Sequence, residues 1–481
     1  MHMSPAWCVS AILACAIYAV AQPKEYSDSP RRLVQLSVAA TDAKGEPVTD
    51  LRAADVQLRE DGKPHPFVFF RFSGARRGLA SPAADEYVNR SGITPTVILF
   101  DRWNEHLMTA AESWGDIDNT ILHMESVDRL YIYFLTNQGD LYPVHPLPPG
   151  NADPLTICPP SPAQLRAKLD GAVQKLSGFR NIDVFDPVLR ANATVRALNA
   201  IGTQMALIAG RKNLVWVTHG FPLQVFFEGD SIDFTSGVRK LSVAATQSNL
   251  QIYTVDQSAQ GAGADPLGQS RATLQMFAGL TGGRWYPSGN TERGLAEALA
   301  DGRGAYRLAY YSPYRENDHK EHKIRLESSR KATRLQTREG YFGDTPEPPP
   351  AEIDEALLNA ASHSPFDATD IGLRVAFSRV GSGSAHFSIR VNPADILLDH
   401  AGDKYVGRIT VMFALYGSDL EKTLPPVQVD IHLTEDQFKK AATDGIVIPQ
   451  DVALSGPVVK IRVIVLDDGL HGLGSVTVPV K

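Results

Sequence analysis

Three apolar runs in this chain end in the same way. TVILFD (96–101), NLVWVT (213–218) and NLQIYTVD (249–256) are continuous, buried-type strands, and each delivers polar side chains to its carboxyl end: Asp101, Thr218 with His219, and Asp256. RLYIYFLT (129–136) is a fourth run of the same kind. Between them the apolar positions switch to steps of three and four. Leu107, Ala110, Trp114, Ile117, Ile121 and Met124 mark one helix face. Ser161-Pro162 supplies an N-cap and a first-turn proline ahead of Leu165, Leu169, Val173 and Leu176. Asp186-Pro187 repeats the device ahead of Val188, Ala191, Val195, Leu198, Met205 and Ile208, with Gly210 placed to end the helix. Further helices are expected near 232–247, 268–280 and 291–300, with a short strand at Arg284-Trp285-Tyr286. This alternation predicts an α/β fold with a mostly parallel sheet flanked by helices. Ligands gather at the carboxyl ends of such strands, so Asp101, Thr218, His219 and Asp256 are expected along one rim.

The flanks read differently. From Leu33 to Phe72 apolar residues alternate with polar ones between DAKGE and EDGK turns, which predicts a small antiparallel β unit over 33–75. Residues 73–93 carry Gly, Ala, Ser and charge without periodicity and read as an exposed linker. YRLAYYS, HKIRLES and TRLQT (306–337) look like antiparallel strands added at an edge of the central unit, which then spans 94–343. TPEPPPAEID (345–354) marks a proline-rich linker over 344–370, with a short helical piece near 353–361. GLRVAFSRV, HFSIRV, GRITVMFALYG, VQVDIHL, VVKIRVIVLDD and GSVTVPV follow at intervals that predict an immunoglobulin-like C-terminal β-sandwich over 371–481.

Composition narrows the class. At 481 residues, 43% hydrophobic and 21% charged, the chain is globular and too long for one core. A formal charge of −7, with no Lys/Arg-rich block, argues against nucleic acid or an anionic membrane as partner. Residues 7–20 are apolar and uncharged, and Ala19-Val20-Ala21 is a small-x-small site, so 1–21 reads as a secretory signal peptide. The processed chain is then expected to be secreted or periplasmic, not transmembrane, with Cys158 as its only cysteine. One thiol makes no internal disulfide and no cysteine metal site.

The TDAKGEPVTDL and LREDGKP turns, the strand ending in Asp101 with Asn104 three residues on, GRKNLVWVTHGFP, IYTVD, and TGG before a strand occur in this order. Together, over about Leu33 to Phe342, they resemble the secreted acidobacterial von Willebrand factor A-related family. The resemblance implies a von Willebrand factor A-like (Rossmann-like) domain in the centre of the chain. Its wider superfamily holds Mg²⁺ or Mn²⁺ at the strand ends through a DxSxS loop, a threonine on a second loop and an aspartate on a third. Here Asp101 keeps the first position, Trp103 and Glu105 stand at the serines, Ile182 falls near the threonine, and His219 replaces the last aspartate. Mg²⁺ requires oxygen ligands in near-octahedral array, which Trp103 and Ile182 cannot give. The ion site is therefore expected to be degenerate, with Asp101 bonding its own loop and Glu105 and His219 as partly solvated rim residues. The competing arrangement joins Asp101, Glu105, His219 and Asp183 into a mixed nitrogen and oxygen site suited to a transition metal.

Other chemistries lack their signatures: no GxSxG, HExxH or GxxxxGK[ST] occurs. His319 and His322 have zinc-like spacing, but the surrounding charges favour a solvated hairpin loop. Trp103 is either a partner anchor or a cover over the first helix. The expectation is a non-enzymatic module without cofactor or metal. It would recognise an unidentified protein partner through a rim made of Asp101, Trp103, Asn104, Glu105 and His219. The alternatives are a metal-binding adhesin or metal-dependent hydrolase using Asp101, Glu105 and His219, and a purely structural envelope component.

Overall fold

The computed structural model describes residues 32–74, 85–89, 94–104, 127–150, 152–153, 155–177, 187–227, 230–257, 269–287, 291–302, 304–314, 318–343, 349–380, 383–418, 421–454 and 456–480. The expected signal peptide, the helix through Leu107 and Met124, and Glu105, Ile182, Asp183 and Asp186 lie outside them.

The buried runs form one six-stranded sheet in the order Trp285–Tyr286, Leu250–Asp256, Lys212–Thr218, Thr96–Asp101, Leu130–Leu135, Leu141–His145. The first five are parallel, and Leu141–His145 pairs antiparallel at the edge. Period-two alternation sends side chains of each central strand to opposite faces, and both faces are covered. Val97, Leu99, Tyr133, Trp216 and Ile252 pack with residues of the Pro187–Ala206, Thr235–Gln247 and Gln269–Thr281 helices. Ile98, Phe100, Ile132, Val217 and Val255 pack with residues of Pro162–Ser177 and Thr291–Asp301. The Ser161 signal acts as anticipated: Gln164 N donates to Ser161 Oγ at 3.2 Å and Ser161 N to Gln164 Oε1 at 2.8 Å, a reciprocal capping box. In the TGG segment Gly282 has φ +85, and a Cβ on Gly283 would collide with the Ile252 carbonyl, so the approach to the edge strand requires both glycines.

The strands at 304–342 do not extend this sheet, which corrects the edge placement. Gly304–Ser312 lies between Arg32–Thr41 and Phe69–Gly74, with Arg334–Gln336 outside Arg32–Thr41. Glu321–Ser328 pairs with Val56–Glu60 and Gly340–Phe342, and Lys63–His65 closes that second sheet. Val34, Leu36 and Val38 from one end of the chain and Tyr306, Leu308, Tyr310 and Ile324 from the other share a single core. About forty residues bury too little apolar surface to hold a fold alone, so the 33–75 unit is completed from residues nearly three hundred positions away.

The C-terminal strands form two facing sheets. One runs Ile446–Ala453, Ser384–Val391, Leu373–Val380, Glu86–Val88; the other is built on Lys404–Gly417, Val458–Asp467 and Gly472–Pro479. Val375, Phe387 and Ile389 meet Val411, Phe413, Val463 and Val476 across the shared core. Two linker expectations change here. Glu86–Val88, inside the expected 73–93 linker, is the edge strand on Arg374–Ala376, and Asn89 pins it: Nδ2 donates to Ala368 O (2.8 Å) and Ile371 O (2.7 Å), while Oδ1 accepts Leu373 N (2.8 Å). Within 344–370, Pro350–His363 is a helix whose Leu358 and Ala361 pack on Met412, Ile464, Leu466 and Leu473. The helical piece expected near 353–361 is thus present and longer, and it packs on the sandwich where an extended linker was expected. The first β body also touches the sandwich: Phe69 and Ala309 cluster with Leu397 and Leu470, and Arg71 Nε lies 3.0 Å from Asp395 Oδ1.

Candidate functional site at the strand ends

The chain order reverses between Thr96–Asp101 and Lys212–Thr218, the switch point where an open α/β sheet leaves a crevice. Asp101 ends one of these strands and Thr218 the other. Trp216 and Thr218 point to the same face because they are two residues apart. Both reach Asp101: Thr218 Oγ1 donates to Oδ2 at 2.7 Å and Trp216 Nε1 at 3.1 Å. Asn104 folds back over the strand end, giving Nδ2 to Oδ2 at 2.7 Å and its backbone N to Oδ1 at 3.1 Å. The arrangement is tied onward, since Asn104 Nδ2 also reaches Thr194 Oγ1 (2.8 Å), which donates to Arg190 O (2.9 Å). Gly220 N in turn donates to Thr218 Oγ1 at 2.9 Å.

Asp101 is 3% exposed. Burial pushes its carboxyl pKa up, and the donors from Asn104, Thr218 and Trp216 oppose that rise by stabilising the ionised form. Four N–H or O–H groups aim hydrogens at this carboxylate. A cation placed there would face their positive ends, so the surroundings of Asp101 have the polarity that suits a hydrogen-bonded anion.

The expected rim is therefore corrected. Asp101, Trp103, Asn104 and His219 are all buried, so these four offer a partner little surface, and Glu105 lies outside the described residues. Trp103 belongs to the core cluster of Leu99, Leu135 and Trp216, so it is a core residue and not an exposed anchor, and the first helix it was expected to cover lies outside the described residues. His219 makes no hydrogen bond to Asp101, and Asp256 is buried at the end of its own strand. Among the described residues no three His, Cys, Asp or Glu side chains gather as a metal would require.

The chain pattern hid two features. Trp216 is a partner of Asp101 and Thr194 of Asn104, yet in sequence they read only as core and helix residues. The hairpin Gln224–Phe227/Asp230–Asp233, which leaves the strand end just beyond His219, was signalled only by Glu228-Gly229 between two short runs. Phe221, Val225 and Phe234 root it in the core, while Gln224, Ser231 and Asp233 are exposed.

His322 needs a second correction. His319 is exposed in its loop, but His322 is buried, with Nδ1 2.8 Å from Asp61 Oδ2 and Nε2 2.9 Å from Asp318 Oδ2. Tyr314 stacks on the ring at 4.1 Å. Both nitrogens are engaged by carboxylates, so this imidazole clamps the loop and offers no metal ligand.

No family model matches the chain, and no curated protein matches it. Among solved structures, it is similar to an aerotolerance-related membrane protein from Bacteroides fragilis, at 13% identity over 44% of this chain and 98% of that one, with a TM-score of 0.26. Superoxide reductase from Archaeoglobus fulgidus is similar at 15% identity over 22% of this chain and 87% of that one, with a TM-score of 0.16. Scores this low carry no argument about function. The class of architecture rests on the strands themselves: a mixed α/β chain with one mostly parallel sheet and two antiparallel β bodies. No helix among the described residues is long and apolar enough to cross a membrane.

Proposed function

We propose that the chain is a non-enzymatic protein-recognition module built on a von Willebrand factor A-like centre that works without a bound ion. The observation that carries this reading is the set of internal donors on Asp101. The carboxylate that would begin an ion site is spent on Asn104, Trp216 and Thr218. With Asp101, Asn104 and Thr218 bonded to one another at the strand ends, contact with a partner falls to the exposed hairpin beyond them, around Gln224 and Ser231. The apolar 7–20 segment supports action outside the cytoplasm. The hydrolase and adhesin readings require Asp101 and His219 to share a ligand, and burial together with the hydrogen bonds of Asp101 speaks against that.

The test has two arms. Millimolar Mg²⁺, Mn²⁺ or Zn²⁺ should leave the melting midpoint unchanged, where an ion present at a hundred times its Kd would add about 2.7 kcal/mol. Partner capture from the native host should persist in EDTA and fall in Gln224→Arg/Ser231→Arg. A midpoint raised by metal and flattened by Asp101→Ala would overturn the ion-free reading. Capture that survives the hairpin variant would overturn the assigned surface.

A further inference from the structure

A cleft of about 510 Å³ opens where the Pro350–His363 helix and the sandwich meet Gly150, Ala152 and Asp153 of the α/β body. Its volume lies within the range of small-ligand sites, and its walls mix polar and apolar surface. Arg462 lines it, although the side chain is only 3% exposed. Nε donates to Thr477 Oγ1 at 3.0 Å, and Nη1 donates to Ala361 O at 2.8 Å and Ser364 O at 2.6 Å. Among the described residues, Nη2 donates to nothing. Asp367 pairs with Arg462 on the other side, 3.7 Å from Nε, with its own oxygens accepting from Thr477. The protein has thus fixed a guanidinium on two edges and left one nitrogen over.

We propose that this cleft binds a small, hydroxylated monocarboxylate, with one carboxylate oxygen on Arg462 Nη2. A guanidinium nitrogen that opens on a cleft and has no protein acceptor there is well matched by an anion, through a charge-assisted bond. Lys460 adds a second cation, its Nζ 3.0 Å from Asp153 Oδ1 and 5.1 Å from the Tyr416 ring centre. The acids set the limit on charge. Asp153 and Glu421 both line the cleft, so a second negative charge on the ligand would be repelled at short range. Ser418, exposed on the wall, offers a hydroxyl to a polar body. A nucleophilic role for the neighbouring Ser362–His363 pair is not available. His363 Nδ1 lies 2.9 Å from the Asn359 carbonyl, which only accepts, so that nitrogen carries its proton and cannot take one from Ser362.

The test uses the full chain and titration calorimetry with glucuronate, its neutral amide glucuronamide, and inorganic phosphate. Glucuronate should bind saturably with a Kd below about 10 mM, and the amide and phosphate at least about tenfold more weakly. Ser418→Trp, which fills the cleft from an exposed position, should abolish binding while leaving the melting midpoint in place. Arg462→Lys should weaken it about tenfold by losing the planar fork. Because Arg462 also holds two carbonyls, the Ser418 variant decides if Arg462→Lys fails to fold. No saturable binding of glucuronate, equal binding of phosphate or amide, or binding unchanged in Ser418→Trp would each overturn the assignment.

Discussion

Lys212 opens the central Lys212–Thr218 strand and is fully enclosed, its Nζ donating to Ile208 O at 2.6 Å and Gly210 O at 2.8 Å. Burial pushes its pKa down from 10.5 to about 7, against the opposing pull of Asp370. A neutral amine still has two hydrogens for the two carbonyls, so the bonds survive deprotonation. Between about pH 7 and 10.5 the unfolded chain holds a proton that the folded chain has released. Folding is therefore favoured increasingly as pH rises through that window, by about 1.4 kcal/mol per unit, and the gain is lost as pH falls to 7. From pH 7.5 to 9.5 this amounts to about 2.7 kcal/mol. Lys212→Met keeps the stem and removes the titration. It also strips donors from two buried carbonyls, a constant cost of about 1–3 kcal/mol. The assay is urea unfolding of both proteins at half-unit steps from pH 7 to 9.5, reading the difference between them. Other groups interfere little: Asp467, raised to about 6 by burial, has finished titrating, and Tyr253 and Tyr286, raised by burial, act only above pH 10. The wild type should gain on the variant as pH rises. Parallel curves across the window would refute the buried-amine argument.

Three further outcomes follow from the packing. Trp103→Ala should cost about 3–5 kcal/mol by thermal unfolding, as a core truncation does, and lower binding only in proportion to the unfolded fraction. Asn89→Ala removes the partners of Ala368 O, Ile371 O and Leu373 N; a loss of about 2–3 kcal/mol is expected, with new proteolytic cleavage near residue 89. A fragment of residues 371–481 lacks both Glu86–Val88 and Pro350–His363, so the Leu373–Val380 edge is bare. Size-exclusion chromatography should find it self-associated, and a monomer that melts cooperatively would count against the inserted strand being needed.

The sequence was most legible where burial is symmetric. VILF and LVWV are apolar throughout because helices cover both faces, and such runs identify central strands without reference to partners. Ser161-Pro162 was equally readable, since a cap is a local device. Pairing was not local: Val34 and Leu36 announce an apolar face, but nothing near them says that Tyr306 and Leu308 will cover it. Glu86-Tyr87-Val88 is too short to show a period. At the strand ends the chemistry was visible and the depth was not. Asp101 followed by Asn104 reads as an ion-site loop or as a self-bonded loop, and the choice depends on Trp216 and Thr218 arriving from another strand.

The insertion of Glu86–Val88 into the last body bears on how the chain is made. This strand leaves the ribosome nearly three hundred residues before Arg374–Ala376, its partners. At about 5–20 residues per second it waits roughly 15–60 s for them. Arg32–Thr41 waits almost as long for Gly304–Ser312, so both amino-terminal segments emerge with unpaired edges while the parallel sheet between them assembles. Closure of each β body comes late and across a long loop, which makes its folding slow relative to that of the central sheet. The growing chain thus carries unpaired strand edges for most of its synthesis.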